Sequence, residues 1–251
     1  AVGGELSTPS AGTSNTRIGV NAGNSIASGG NYNVVVGDEA GTALTTGDGN
    51  TAVGFEALKT EDANGFNTAI GHQALETLNA GADAYNTAVG YNAGQAVTTG
   101  TFNTLLGGLS GDALTEGTRN VVLGYAALGS DTLGSKSVAI GLGALGDQNF
   151  TSATDALNTA VGHGAGGAVT TGVNNVYMGG VTGNVTTTGT GNIIVGYASQ
   201  PESASASTCH GLGYGIICAG GYTTLGDGTT DSRLAHGGTT WATVSDERYK
   251  K

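Results

Sequence analysis

Short apolar segments recur along the chain at a nearly constant interval, and each one begins at a polar residue. The polar start residue is Asn in ten repeats and Ser in one, and successive starts lie 17 to 21 residues apart. The starts are Asn15, Asn33, Asn50, Asn67, Asn86, Asn103, Asn120, Ser137, Asn158, Asn175 and Asn192. A fixed period of this length is typical of a solenoid, in which each coil buries its apolar side chains against its neighbours.

Positions inside a repeat, counted from the start residue as position 0, predict one short strand per coil. Position 1 is always Thr, Val or Ile, position 3 is always apolar, and position 4 is always Gly. β-branched residues at a fixed place favour a half-buried strand over a helix. Position 7 is always small, as in Ala93 and Ser110, which indicates close approach to a neighbouring coil or a neighbouring chain.

Position −3 holds Gly in eight repeats and Asn or Asp in the other three, as in Gly100, Asn64 and Asp83. These residue types tolerate positive φ, so the column predicts a left-handed turn. A Gly100→Val substitution is expected to disrupt assembly if this assignment holds.

Together these patterns predict an all-β protein, a parallel β-solenoid or β-roll of about eleven 17-residue coils. Residues 1–14 are interpreted as a connector or cap, 15–200 as the repeat shaft, 201–244 as a Gly-rich β tip and 245–251 as a separate terminal motif. Two longer repeats place extra residues at 76–85 and 147–157. Such insertions form loops on one face of a solenoid, and either a binding role or neutral length variation explains them.

The composition bears on how many chains assemble to form the core. The sequence has 48 Gly, and only 11% of its residues are charged and 6% aromatic, so one chain buries little per coil. Several chains sharing the core, most simply as a homotrimer, would compensate. The net charge of −11 argues against nucleic acid or an anionic membrane as a partner, and no apolar run approaches the roughly 20 residues of a membrane span.

The two cysteines, Cys209 and Cys218, have eight residues between them. A short disulfide loop and two free buried thiols both fit this spacing, and two cysteines alone give no zinc signature. Neighbouring His210 is the only histidine beside them, and a structural role explains it better than metal binding. The sequence therefore predicts neither a metal nor a cofactor.

Catalytic motifs are missing from the sequence, because its four histidines are isolated and no His-Glu pair, carboxylate pair or phosphate loop lies near them. Binding rather than turnover is expected. Position 5 is aromatic or His in six repeats, and an exposed ladder of such rings could stack on sugars. Alternatively, the rings pack on each other or on a neighbouring chain as a rigid seam. The six residues are Phe55, His72, Tyr91, Tyr125, His163 and Tyr197.

Two stretches resemble known families. Residues 86–93 (NTAVGYNA) and 137–144 (SVAIGLGA) resemble the head repeats of trimeric autotransporter adhesins and of phage tail fibres. Residues 245–250 (SDERYK) resemble the opening of the C-terminal intramolecular chaperone of phage tail fibres and tailspikes, which trimerises the fibre and then cleaves itself off. That resemblance implies Ser245 as nucleophile and Lys250 as base. Without the chaperone body, the pair is expected to be inert in this chain.

The resemblance implies a phage tail fibre, located in the virion, that contacts other tail proteins and attaches to a host cell-surface glycan as a homotrimer. A bacterial surface adhesin or extracellular filament is the first alternative. A glycan-degrading tailspike with a site between chains is the second. The mature chain itself is expected not to be an enzyme.

Overall fold

A computed structural model describes residues 11–243 of the chain. The protein is an all-β parallel β-solenoid of about 12 turns at a spacing of about 17 residues, with a short antiparallel C-terminal end. This confirms the fold class predicted from the repeat. The chain divides into two compact units, the first ending at Tyr125 and the second beginning at Ala126, and each is described by itself.

The first unit contains seven three-residue strands, each covering positions 1 to 3 of a repeat. Neighbouring strands pair in parallel and in register, so that Thr51 lies beside Thr68 and Val53 beside Ile70. The strands are β1 (Thr16–Ile18), β2 (Val34–Val36), β3 (Thr51–Val53), β4 (Thr68–Ile70), β5 (Thr87–Val89), β6 (Thr104–Leu106) and β7 (Val121–Leu123).

The second unit repeats this arrangement and adds short strands around it. Its strands are β8 (Gly134–Ser135), β9 (Val138–Ile140), β10 (Thr154–Asp155), β11 (Thr159–Val161), β12 (Val176–Met178), β13 (Ile193–Val195), β14 (Gln200–Pro201), β15 (His210–Gly213), β16 (Ile217–Cys218), β17 (Tyr222–Gly226), β18 (Ser232–Ala235) and β19 (Ala242–Thr243). Parallel pairing runs through β9, β11, β12, β13, β15 and β17, and β17–β18–β19 is antiparallel. The insertion at 147–157 forms β10, which pairs with β8.

One turn lies beyond the eleven predicted starts. β15 pairs in register with β13, with His210 opposite Ile193. Its start residue is Cys209, which is fully buried like the Asn residues that open the other coils. Counting Asn starts did not find this turn, because position 0 is Cys here. The strand that follows still pairs in register with the preceding coil.

The core of the coils is built mainly from small and medium side chains at positions 0, 2, 7, 8 and 11, and Tyr177 at position 2 is the largest fully buried side chain. Val35, Leu105 and Ile194 at position 2 are fully buried, and so are Ala40 and Ala165 at position 7. The small column therefore packs inside its own chain, against neighbouring coils. Close stacking of coils explains why no larger side chain occurs there.

In five coils positions 2 and 8 share one space, and a large side chain occupies it from only one of them, whereas Val122 and Leu128 are both fully buried in another coil. Three coils combine Ala at position 2 with Leu at position 8, and two coils of the first unit combine a larger residue with Gly. The first kind is Ala52 with Leu58, Ala69 with Leu75 and Ala139 with Leu145, and the second is Val35 with Gly41 and Leu105 with Gly111. Position 8 has positive φ whether it is Leu or Gly. The space left by the side chain at position 2, and not the backbone conformation, therefore decides which residue is accepted at position 8.

The predicted left-handed turn at position −3 is wrong. Gly100 and Gly47 do not have positive φ. A Cβ at Gly100 would instead lie 2.4 Å from the carbonyl oxygen of Gly117 in the next coil, so the column is restricted by contact between backbones. Positive φ occurs at other positions, including position 4, where Gly90 has φ of 144°, and position −1, where Tyr85 has φ of 52°.

Candidate functional site

The start residues form a buried hydrogen-bonded ladder that joins successive coils. Asn103 illustrates it, because its backbone N–H donates to Asn86 Oδ1 at 2.9 Å and its own Oδ1 accepts from the Asn120 N–H at 3.0 Å. Its Nδ2 donates to the Gly117 carbonyl oxygen at 2.9 Å. A side-chain amide alone supplies an acceptor and donors in this geometry. The invariance of Asn is therefore structural, a role that sequence reasoning missed.

Where Ser137 replaces Asn, two other buried polar side chains complete the ladder. Gln148 Nε2 donates to Asp131 Oδ2 at 2.5 Å and to Ser137 Oγ at 3.2 Å, and Gln148 Oε1 accepts from Asn158 Nδ2 at 2.8 Å. Burial raises the pKa of Asp131, and the hydrogen bond from Gln148 lowers it by less. Asp131 and Gln148 both occupy position 11, which is aliphatic in most coils of the first unit. This cluster is part of the scaffold.

Side chains at positions 1 and 3 point away from the core and form two outward rows, mostly Thr at position 1 and aliphatic at position 3 in the first unit, which we call the strand face. In the first unit these rows contain only Thr, Val, Ile and Leu, without a charged residue. Several are exposed, including Leu106 at 43%. The second unit carries the same rows, where Met178 and Leu212 are exposed. Contiguous outward rows without a charged residue form a candidate interaction surface.

The position-5 aromatic residues flank the strand face, and the first three of them stack. The rings of Phe55 and His72 have centroids 5.2 Å apart, and those of His72 and Tyr91 lie 5.3 Å apart. All six predicted residues are exposed. Packing of rings on each other, one of the two alternatives, occurs in this segment. Glycan binding by the column stays a prediction.

The other three predicted residues do not adjoin another predicted ring, because Gly108, Leu142 and Gly180 occupy position 5 in the coils between them. Gly108 lies between Tyr91 and Tyr125, and Gly180 between His163 and Tyr197. Tyr214, in the turn that opens at Cys209, extends the column and stacks on Tyr197 with a centroid distance of 5.7 Å. The six residues thus form separate groups rather than one continuous ladder.

A second aromatic column, which the sequence analysis did not identify, lies on the other side of the strand face at position −1. Phe66 and Tyr85 stack with centroids 5.2 Å apart, and Tyr85 and Phe102 stack at 5.6 Å. The guanidinium of Arg119 continues the column, 5.5 Å from the centroid of the Phe102 ring. The residue type at position −1 varies among repeats, so only the ring-bearing stretch Phe66 to Phe102 offered a signal in the sequence.

Cys209 and Cys218 are free and buried. Cys209 Sγ donates to the Cys218 carbonyl oxygen at 3.1 Å, and Cys218 Sγ lies 3.2 Å from the His210 carbonyl oxygen. A hydrogen bond with the Cys218 thiol, together with burial, raises the pKa of Cys209. The thiols of this structure are inward and protected, and the disulfide stays a prediction.

Beside the thiols, His210 packs against His236, with ring centroids 4.5 Å apart. Burial, with a smaller contribution from His236, lowers the pKa of His210, which favours the neutral ring at pH 7. His210 also borders a cavity of about 280 Å³ on the strand face, lined otherwise by Ile193, Val195, Gly211, Leu212, Thr223 and Leu225. An apolar group fits this lining better than a polar one.

Ser245 and Lys250, the residues implied for self-cleavage, lie outside the described residues. Within residues 11–243, no three His, Cys, Asp or Glu side chains are grouped so that they could hold a metal ion. That same part of the chain contains no helix long and apolar enough to cross a membrane. No family model, curated protein or solved structure matches this chain.

Proposed function

We propose that this protein is a structural and receptor-binding segment of a phage tail fibre, assembled as a homotrimer and attached to a glycan on the host cell surface. The observation that carries the proposal is the strand face, two uncharged outward rows, one of them aliphatic, flanked on both sides by exposed rings. The resemblance of the repeats and of residues 245–250 to fibre proteins supports the same assignment.

Self-association is supported by the uncharged strand face. Seven strands about 4.8 Å apart and two outward positions, each about 6.6 Å wide, give this face an area on the order of 400 Å² in the first unit. Patches of roughly 300–600 Å² are the largest on typical monomers and are often functional. The occupant is a second and a third copy of the chain, because each copy presents the same uncharged surface and a ring of three closes on it.

Attachment to a glycan follows from the aromatic columns. The exposed rings present apolar surface to solvent, and the tyrosines add phenol hydroxyls. This combination suits sugar rings, which have apolar faces and polar edges. In the trimer the columns lie at the borders of the buried strand face, so they remain accessible to a polysaccharide. Other virion tail proteins are the expected partners at the ends of the fibre.

Light scattering on the purified chain tests the assembly. The expected mass is three times the 24.4 kDa of the chain, and a stable monomer would contradict the trimer. Binding to purified bacterial envelope polysaccharides, followed by titration, tests the attachment. Failure to bind any envelope glycan would refute the receptor-binding role, and release of soluble sugar would indicate a glycan-degrading tailspike instead.

A further inference from the structure

The position-5 column is interrupted at a single place in the first unit, between two exposed tyrosines. Tyr91 and Tyr125 are each 57% exposed, and the coil between them has Gly108 in the place of a ring. Tyr91 is stacked on His72 on its other side. One ring face of Tyr91 and one of Tyr125 therefore have no ring of this column next to them.

Gly108 is not required by the backbone. Its φ lies outside the positive range, and a Cβ there would lie 3.5 Å from Tyr125 Cδ2 and 3.9 Å from the Tyr91 carbonyl oxygen, which are ordinary contacts. Adjacent Gly107 differs, because it has φ of 134° and its Cβ would lie 2.6 Å from the Gly124 carbonyl oxygen. The missing side chain at Gly108 thus opens a gap without relieving a clash.

The size of the gap suits one ring. Rings in adjacent coils of this column have centroids 5.2 Å and 5.3 Å apart, so rings separated by two coils are about 10 Å apart. One inserted ring then lies about 5 Å from each tyrosine, within the range of favourable ring contacts. A pyranose chair, with axial C–H groups on both faces, is thicker than an aromatic ring and fills this width better.

We propose that Tyr91 and Tyr125 hold one neutral pyranose ring of a carbohydrate between them, in the slot above Gly108. The inference rests on the glycan attachment proposed above and names the subsite. Each tyrosine can offer a phenol hydroxyl to the hydroxyl groups of a sugar, and Tyr91, Gly108 and Tyr125 include no acidic or basic residue.

Gly108→Tyr tests the slot, because the added ring occupies the space of the sugar and completes the stack. The matched control is Val20→Tyr, which adds a ring in the same column at a position already occupied by an exposed side chain. Cellohexaose, maltohexaose and a mannohexaose are titrated into the full chain, and the aromatic signals of Tyr91 and Tyr125 are followed by NMR. At least one probe is expected to shift both signals.

Gly108→Tyr is expected to weaken that binding at least tenfold while the thermal unfolding midpoint stays equal or rises. Val20→Tyr should leave the affinity unchanged. Tyr125→Ala removes one wall and provides a second variant, also expected to lose at least tenfold. Unchanged affinity in both slot variants, or no probe that shifts the two tyrosine signals, overturns the inference.

The two proposals fail in different ways. If the chain binds an envelope polysaccharide and Gly108→Tyr binds it equally well, the slot is wrong and the receptor-binding role stands. If no glycan binds at all, both are refuted. Tyrosine shifts that depend on protein concentration rather than on sugar would assign the slot to a side chain of a neighbouring copy and would overturn the inference.

Discussion

At the scale of single residues, the buried Asn ladder is the strongest constraint on this chain. Asn103→Ala removes the acceptor for the Asn120 N–H and the donor to the Gly117 carbonyl oxygen. Both partners are left buried and without these bonds, at a cost of about 1–3 kcal/mol each. We expect a loss of about 2–5 kcal/mol in the free energy of unfolding, measured by denaturant titration.

The control is Asn79→Ala, since Asn79 is exposed and its change is expected to cost under about 0.5 kcal/mol. Asn103→Asp should be at least as damaging as Asn103→Ala, because it buries a charge and removes the donor. An Asn103→Ala protein as stable as the control would show that the ladder contributes little.

Removal of a buried carboxylate is expected to raise the stability of the protein, in contrast to removal of Asn103. Glu61 at position 11 is fully buried where neighbouring coils have Leu44 and Leu78, and burial raises its pKa. A raised folded pKa means that the folded state binds the proton more tightly, so stability falls as pH rises from the ordinary Glu range through that pKa. Glu61→Leu should therefore raise stability by about 1–3 kcal/mol at pH 8, and by less at pH 4.

Thermal unfolding of Glu61→Leu and wild type at both pH values measures this difference. Asn64, whose Nδ2 donates to Glu61 Oε1 at 3.1 Å, is half-buried and can donate to water in the variant. Exposed Glu116→Leu serves as control and should show no such pH-dependent gain. A destabilised Glu61→Leu protein at pH 8 would indicate that the carboxylate has a structural role that its burial does not reveal.

At the scale of one coil, the space shared by positions 2 and 8 predicts a compensating pair. Leu105→Ala should cost about 2–5 kcal/mol as a cavity. Gly111→Leu alone should also destabilise, because a Cβ at Gly111 already lies 3.0 Å from Leu105 Cδ2. Combined, the two changes reproduce the pattern of Ala69 with Leu75, and the double variant should recover about 0.5–3 kcal/mol relative to additivity.

A double-mutant cycle measured by chemical denaturation provides that coupling energy. The backbone is suited to the exchange, since Gly111 has φ of 54° and Leu75 has φ of 49°. Recovery is expected to be partial, because Leu105 Cδ1 also fills the space above Gly94 in the preceding coil. Purely additive effects would argue that the two positions do not share one space.

The coil was predictable from the sequence where a residue type has a single physical explanation. The β-branched position 1 and the small position 7 are such cases, because a short strand and close stacking of coils each favour one kind of side chain. Glycine has several explanations, so Gly100 was assigned positive φ when it is limited by the carbonyl oxygen of Gly117. Position −1 shows the converse, since Tyr85 and Phe102 adopt positive φ without being glycine.

The candidate site was less predictable from the sequence. It depends on which residue columns lie next to each other on the surface of the coils. Counting rings at position 5 found Phe55, His72 and Tyr91, but the column at position −1 has too many residue types to stand out in sequence. Along each coil, buried positions 0, 2 and 7 alternate with outward positions −1, 1, 3 and 5. The columns at positions −1 and 5 therefore lie on the two sides of the strand face. Gaps such as Gly108 become visible only once the stacked rings and their spacing are known.

At the scale of the whole molecule, the strand face predicts a specific failure of assembly. Leu106→Glu places a charge in the middle of the apolar rows, at a side chain that is 43% exposed in the single chain. The fold of one copy is expected to tolerate the change, since the new carboxylate can reach water. In the trimer the same carboxylate would be buried without a partner, which costs several kcal/mol per copy.

Light scattering should therefore shift Leu106→Glu from three copies towards one, with an unchanged circular dichroism spectrum. Thr99→Glu adds the same charge at an exposed position away from the strand face, and it should leave the mass unaltered. Higher salt should not restore assembly, because the penalty is desolvation rather than repulsion over a distance. A trimer that survives Leu106→Glu would place the contact between copies elsewhere, and the aromatic columns would then be the next surfaces to test.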